Sequence, residues 1–185
     1  MSKTKTSLSL SCIGAGRAGK TLCRLFVEQQ SDLEISIQQI INRSSASTAE
    51  AVAFIGQGQP EERFENLLPA NIWLIATPDD AISAVSERLS ASGMLRKTDI
   101  IFHCSGSLSS EILLTTEESA HRASVHPIHS FANPQNSLED FSGTACAIEG
   151  DPSATDILTA LFSAIGGKCF FLNADKKALY HAATV

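Results

Sequence analysis

Short apolar runs alternate along the chain with segments whose apolar residues recur every three to four positions, the pattern of parallel strands joined by crossover helices. SLSLSCIG at 7–14 reads as a first strand. In RAGKTLCRLFVEQQ at 17–30, Ala18, Leu22, Leu25 and Phe26 share one helical face, with Arg17, Lys20, Arg24 and Glu28 largely opposite. EISIQQIINR at 34–43 is a second strand. The helix SASTAEAVAFIG that follows is opened by a Ser or Thr cap and closed at Gly56.

The stretch GQGQPEERFENLLPA predicts a loop, with a very short strand near Phe64, before the apolar run NIWLIATPDD, which Pro78 stops. A helix from about Asp79 to Ser90 comes next. TDIIFHCSG, HRASVHP and GTACAIEG read as strands, SATDILTALFSAIGG as a helix and KCFFL as a last strand. Together these predict an α/β, Rossmann-type, mostly parallel sheet with helices on both faces, spanning 7–172. NADKKALYHAATV, with a cap at Asn173, predicts the first helix of a C-terminal helical domain over 173–185, with the chain stopping inside it.

The 185 residues suit one domain, or one with a fragment of a second, and can bury a real core. A net charge of −6 with scattered Lys and Arg argues against a nucleic-acid role. The odd set Cys12, Cys23, Cys104, Cys146 and Cys169 contains no Cys-x-x-Cys and fits reduced thiols in the cytosol. No apolar run approaches the roughly 20 residues of a membrane span, so the expected setting is cytoplasmic.

Candidate chemistry begins at CIGAGRAGKTL. Gly14 suits the tight turn after a strand, Gly16 a close backbone approach to a pyrophosphate, and Gly19 close packing of helix on strand. With Ala15, Arg17 and Ala18 they form the predicted phosphate-binding turn at a helix start. The plainer alternative is a glycine-rich turn without a ligand. Asn42 stands where an NAD site usually carries an acid, and Arg43, Ser44 and Ser45 offer a cation and two hydroxyls to a 2′-phosphate, so NADP is expected ahead of NAD.

At the other strand ends, Ala76, Thr77 and Pro78 are placed along the cofactor, and Cys104, Ser105 and Gly106 near the nicotinamide. Asp79 and Asp80 read as helix-capping acids. His126 in HPIHSF follows a strand and could exchange a proton with a substrate; His129 reads as structural. His126 and His129 lack further ligands at convincing spacing, so no metal is expected. A Cys104–His126 nucleophile pair lacks an orienting third residue.

IGAGRAG, IATPDDAI, HCSG, SVHPIHSF and YHAA together resemble a bacterial family of Rossmann-like proteins in which the nucleotide-binding domain precedes a helical domain of unknown function. That family is similar to the pyrroline-5-carboxylate reductase, 6-phosphogluconate dehydrogenase and prephenate dehydrogenase groups. The resemblance implies an NADP-linked oxidoreductase for a small C=N, C=O or C–OH substrate, whose helical domain completes the substrate site and usually a homodimer interface.

In the related dehydrogenases a helix in this position carries a catalytic Lys followed four residues later by an Asn. Here Lys177 and His181 take those places and share a helical face. Lys177 could polarise a carbonyl, or be solvated beside Lys176, which is the preferred reading. A non-catalytic dinucleotide-binding module, sensing or regulatory, is the alternative to an enzyme. An α/β domain that binds no nucleotide is a third.

Overall fold

The computed structural model describes residues 6–115 and 120–183. Eight strands form one sheet in the order β3-β2-β1-β4-β5-β6-β7-β8. They are β1 (Thr6–Ile13), β2 (Leu33–Ile41), β3 (Gln59–Glu61), β4 (Ile72–Ile75), β5 (Ile100–His103), β6 (His121–Pro127), β7 (Ala145–Gly150) and β8 (Lys168–Phe171). All neighbours run parallel except β6 and β7, which are antiparallel. The sheet is therefore the mostly parallel one expected.

The helices are α1 (Arg17–Glu28), α2 (Ser45–Ile55), α3 (Asp79–Ala91), α4 (Pro134–Asp140), α5 (Pro152–Ala164) and α6 (Lys177–Ala182). Two buried clusters lie on the two faces of the sheet. One joins Leu22 and Phe26 of α1, Ala51 and Ile55 of α2, and Leu158 and Phe162 of α5 to Leu10, Leu74 and Phe102. The other joins Ile82 and Leu89 of α3 to Trp73, Ile75 and Ile101. The four residues of β4 and of β5 are buried throughout, which is why those strands read as continuous apolar runs rather than alternating ones.

The structure departs from the sequence reading in three places. The short strand expected near Phe64 lies earlier, at Gln59–Glu61, where it pairs in parallel beside β2 at the sheet edge; Phe64–Asn66 is a 3-10 turn instead. Helix α4 was not foreseen, although Asn133 caps it through Gln135 and Asn136 and Pro134 occupies its first turn. The last expected helix opens as a 3-10 turn over Ala174–Lys176, with Asn173 accepting from the Asp175 amide, before α6 begins. Thr184 and Val185, at the end of that expected helix, lie outside the described residues.

Candidate functional site

The connection between the two halves of the sheet reverses at β1, which lies between β2 and β4. In such sheets a ligand occupies the crevice outside the carboxyl ends of the strands at that reversal. Gly14 follows β1, and its amide donates to the Ile41 carbonyl at the end of β2, 2.8 Å away. Ala76 follows β4 and donates to the Ile13 carbonyl at 2.9 Å, so the ends of all three strands are tied together beneath the turn.

Gly14 has φ +87°, and a Cβ there would stand 2.6 Å from Thr77 Cγ2; both facts exclude a side chain. A Cβ on Gly19 would meet that of Ala76 at 2.9 Å, so this glycine lets α1 pack on the strand ends. Gly16 differs from both. It is the N-cap of α1 with φ −71°, and the nearest atom to its missing Cβ is the Gly14 carbonyl at 3.9 Å. Among the described residues none comes close enough to require glycine at 16, and no side chain caps the helix start. An anion approaching the exposed first turn of α1 would supply both the reason for the glycine and the missing acceptor.

Two further polar atoms near the crevice lack partners among the described residues. Asn42 donates from Nδ2 to the Ser47 carbonyl at 2.9 Å and at the limit of range to Ala15, while its buried Oδ1 accepts nothing. Thr77 Oγ1 is likewise buried and unpaired. Buried polar atoms are normally satisfied, so both stand out among the residues that border the crevice. Arg43 is exposed at the lip. Ser44 caps α2, its Oγ accepting from the Ser47 amide at 3.3 Å, and Ser45 is the exposed first residue of that helix. Arg17 and Ala18 line a cavity of about 330 Å³ with Ser130, Phe131 and Ala132, continuous with the glycine turn.

At the far side of the crevice, the ends of β5 and β6 meet α6. Register pairs His103 with Ser124 and Ser124 with Glu149, making a buried polar row across three strands. Lys177 lies on this row. Its ammonium donates to Glu149 Oε1 at 3.0 Å and to the Ser124 hydroxyl, and both side chains of the ion pair are almost wholly buried, at 3% and 5% exposure. Glu149 also accepts from the amide and hydroxyl of Ser110, each at 2.7 Å. The solvated reading of Lys177 is therefore corrected: α6 turns it inward onto a carboxylate. Burial pulls its pKa down while Glu149 pushes back.

His103, fully buried, accepts at Nδ1 from the Ser105 amide (3.2 Å) and lies 3.3 Å at Nε2 from the Ser109 carbonyl, which fixes it as the neutral Nε2–H form. Burial first, then Lys177, lowers its pKa to about 4. The unfolded chain then binds a proton between pH 6.5 and 4 that the folded one refuses. Stability should be full above pH 6.5 and fall toward pH 4 by at most about 3 kcal/mol from this residue. Urea unfolding of the His103→Gln variant should show a shallower slope across that window; an unchanged slope would contradict the assignment.

One turn further along α6, Tyr180 and His181 reach Gly106 and His126. Nδ1 of His126 is 2.9 Å from the Tyr180 hydroxyl, and a Cβ on Gly106 would stand 2.6 Å from His181 Nδ1 and 2.7 Å from His126 Cε1 and Nε2. Burial, then His181 and Lys177, lowers the His126 pKa to about 4. His126, His181 and Gly106 thus come together, while Lys177 lies beneath them. His129 is elsewhere, 3.3 Å from Asp140 and packed edge-on against Phe131 and tilted against Phe141, as a structural residue would be.

Asp79 does not cap α3. Its Oδ2 accepts from the hydroxyls of Ser105 (2.6 Å) and Ser107 (2.9 Å), holding the turn that carries Gly106. Burial pushes the Cys104 thiol up to about 12, which leaves little thiolate for a nucleophile. The Glu149–Ser124 row was missed in the sequence because Glu149 sits inside a strand, 28 residues from Lys177; a charged residue within the apolar run ACAIEG was the available signal. Among the described residues no group of three or more His, Cys, Asp or Glu could hold a metal, and no helix is long and apolar enough to cross a membrane.

The family model of the Rossmann-like domain matches residues 2–127. The chain belongs to that family. A second family model, a domain of unknown function (DUF2520), matches residues 144–185, from just before β7 through α6. The pairing of a Rossmann-like domain with that second domain is the one the sequence motifs resembled. No curated protein matches the chain.

Among solved structures, protein TM1727 from Thermotoga maritima is similar at 30% identity over 95% of this chain and 62% of its own, with a TM-score of 0.70. Prephenate dehydrogenase from Aquifex aeolicus, in complex with hydroxyphenyl propionate and NAD+, shares 14% identity over 95% and 63%, TM-score 0.70. 1-Pyrroline-5-carboxylate reductase from Streptococcus pyogenes shares 11% over 92% and 60%, TM-score 0.66. The last two show the Rossmann-like fold. The chain spans about three fifths of the length of each of these structures.

Proposed function

We propose that this chain binds NADP(H) across the β1–β4 crevice and contributes the cofactor half of an oxidoreductase acting on a small C=O, C=N or C–OH substrate. The observation that carries the reading is Gly16: its φ is negative and the nearest atom to its missing Cβ is the Gly14 carbonyl at ordinary contact distance, 3.9 Å, so a ligand explains the glycine better than the fold does. The first amides of α1, beside Gly14–Gly19, hold the pyrophosphate, with Arg17 alongside. Asn42 and Thr77 bring their unpaired oxygens to the ribose side. Arg43, with Ser45 and the capping Ser44 nearby, meets the 2′-phosphate at the end of β2.

When bound, NADP(H) gives or takes the hydride. The residues of the chain supply the rest. The Cys104–Gly106 turn, anchored by Asp79, bounds the nicotinamide end. His126, against Gly106, is the group placed to exchange a proton or hydrogen bond with the substrate, and His181 flanks it. Lys177 is engaged by Glu149 and Ser124, so it docks α6 instead of reaching substrate. The two dehydrogenase and reductase structures similar in fold, one of them with NAD+, support a dinucleotide in this crevice.

The preference for NADP rests on Arg43 and on Asn42 in place of an acid. Substituting Arg43→Ala removes a charge-assisted phosphate contact, a loss of about 1.5 to 3 kcal/mol, or roughly ten- to a hundred-fold in affinity. Calorimetric titration should show that loss for NADPH and almost none for NADH. Equal losses for both would refute the role given to Arg43.

A further inference from the structure

His126 can hydrogen-bond to Tyr180 in two ways: its Nδ1–H can donate to the phenol oxygen, or the phenol O–H can donate to a bare Nδ1. The chemistry favours the second. A phenol hydroxyl is an acidic donor whose oxygen lone pair is delocalised into the ring, while an imidazole nitrogen is the more basic acceptor of the two. The 2.9 Å contact is between part-buried groups, where an unpaired polar atom is costly. Tyr180 is itself held: its ring packs edge-on against His126, centroids 5.7 Å apart, and against Phe170 at 6.1 Å. The helix carrying it is docked one turn earlier by the buried Lys177–Glu149 pair.

We infer that Tyr180 is a positioning residue whose hydroxyl donates to Nδ1 of His126, keeping the single imidazole proton on Nε2 and making His126 a neutral hydrogen-bond donor beside Gly106. The inference rests on the oxidoreductase reading for its consequence, and it narrows that reading. A neutral Nε2–H matches a lone pair, as on a carbonyl or imine. Acceptance of an alcohol proton would instead need a bare Nε2. The substrate class is then C=O or C=N: the Nε2–H polarises it by hydrogen bonding while His126 keeps its proton, and the proton that completes the reduction after hydride arrives comes from water. The charged and titratable groups acting on His126 are His181 and Lys177 from α6, which oppose its protonation, and Asp79 from α3, which favours it. Burial and the two cationic or basic neighbours outweigh Asp79, so the ring stays neutral at pH 7.

Two-bond 1H–15N correlation spectra of the 15N-labelled full chain test this directly, with His126 assigned by its loss in the His126→Gln variant. In the wild type at pH 7, Nε2 should show the shift of a protonated nitrogen and Nδ1 that of a bare one. In Tyr180→Phe, which keeps the ring packing, the two tautomers should mix. The His126 midpoint should rise by about half to one pH unit, because the lost hydrogen bond favoured the neutral form. A wild-type proton on Nδ1, or a Tyr180→Phe spectrum identical to wild type, would overturn the inference. The experiment uses neither cofactor nor substrate, so its failure leaves NADPH binding standing, and a failure of NADPH binding leaves the tautomer result standing.

Discussion

The Gly16→Asp variant should lose NADPH binding by a hundred-fold or more while the protein remains as stable as the wild type, or slightly more so. The two effects have opposite signs for one structural reason. Gly16 is the N-cap of α1, with a negative φ and no atom nearer its missing Cβ than the Gly14 carbonyl at 3.9 Å, so the fold accepts a side chain there. Aspartate is among the best N-cap residues, and its replacement of glycine is worth a few tenths of a kcal/mol to the helix. The same carboxylate lies where the pyrophosphate approaches the first turn, and it would take the amides and repel the ligand's charge. Binding by calorimetry and thermal unfolding of the same sample check both halves. A variant that binds NADPH normally would show that the turn serves the fold alone, and one that unfolds would show that Gly16 has a structural duty.

Removal of one partner of the Lys177–Glu149 pair should cost about 3 to 5 kcal/mol of folding stability, because the other charge is left in a site with almost no water. The two single variants should not be equal. Without Lys177, Glu149 keeps the amide and hydroxyl of Ser110. Without Glu149, Lys177 keeps only the Ser124 hydroxyl, and Ser110 loses two acceptors at once. Glu149→Leu should therefore be the worse of the two, tempered by the ease with which a buried Lys sheds its proton. The double variant Glu149→Leu with Lys177→Met should recover part of the loss, as paired apolar replacements of buried ions do. Urea denaturation of the three variants decides it. A cost near that of a surface ion pair, under about 1 kcal/mol, would mean that α6 does not rest on this contact.

What was readable in the sequence follows from how local each cause is. The turn at Gly14–Gly19 announces itself because strand, glycines and amphipathic helix are contiguous. The buried run of β4 is apolar from end to end and that of β5 is apolar up to His103, and Gly56 marks the end of α2 with a left-handed cap. Lys177 was not readable. Lys176 and Lys177 look alike in the chain, and only the packing of α6 over β6 and β7 separates the exposed one from the buried one. The same holds for Asp79, whose place in a first helical turn suggests a cap, whereas its carboxylate is taken by two serines 26 and 28 residues away. Helix α4 carries few apolar residues, so periodicity is silent; Asn133 followed by Pro134 was the signal to read. The antiparallel turn from β6 to β7 leaves no mark in either strand's composition.

A dinucleotide with a 2′-phosphate in the β1–β4 crevice is what the proposed activity depends on. Titration of the purified full chain with NADPH and, separately, with NADH by calorimetry tests it most directly. NADPH should bind saturably and one-to-one, tighter than NADH by about ten-fold or more, the value of the Arg43 contact. No heat of binding with either nucleotide, at concentrations where related folds saturate, would contradict it.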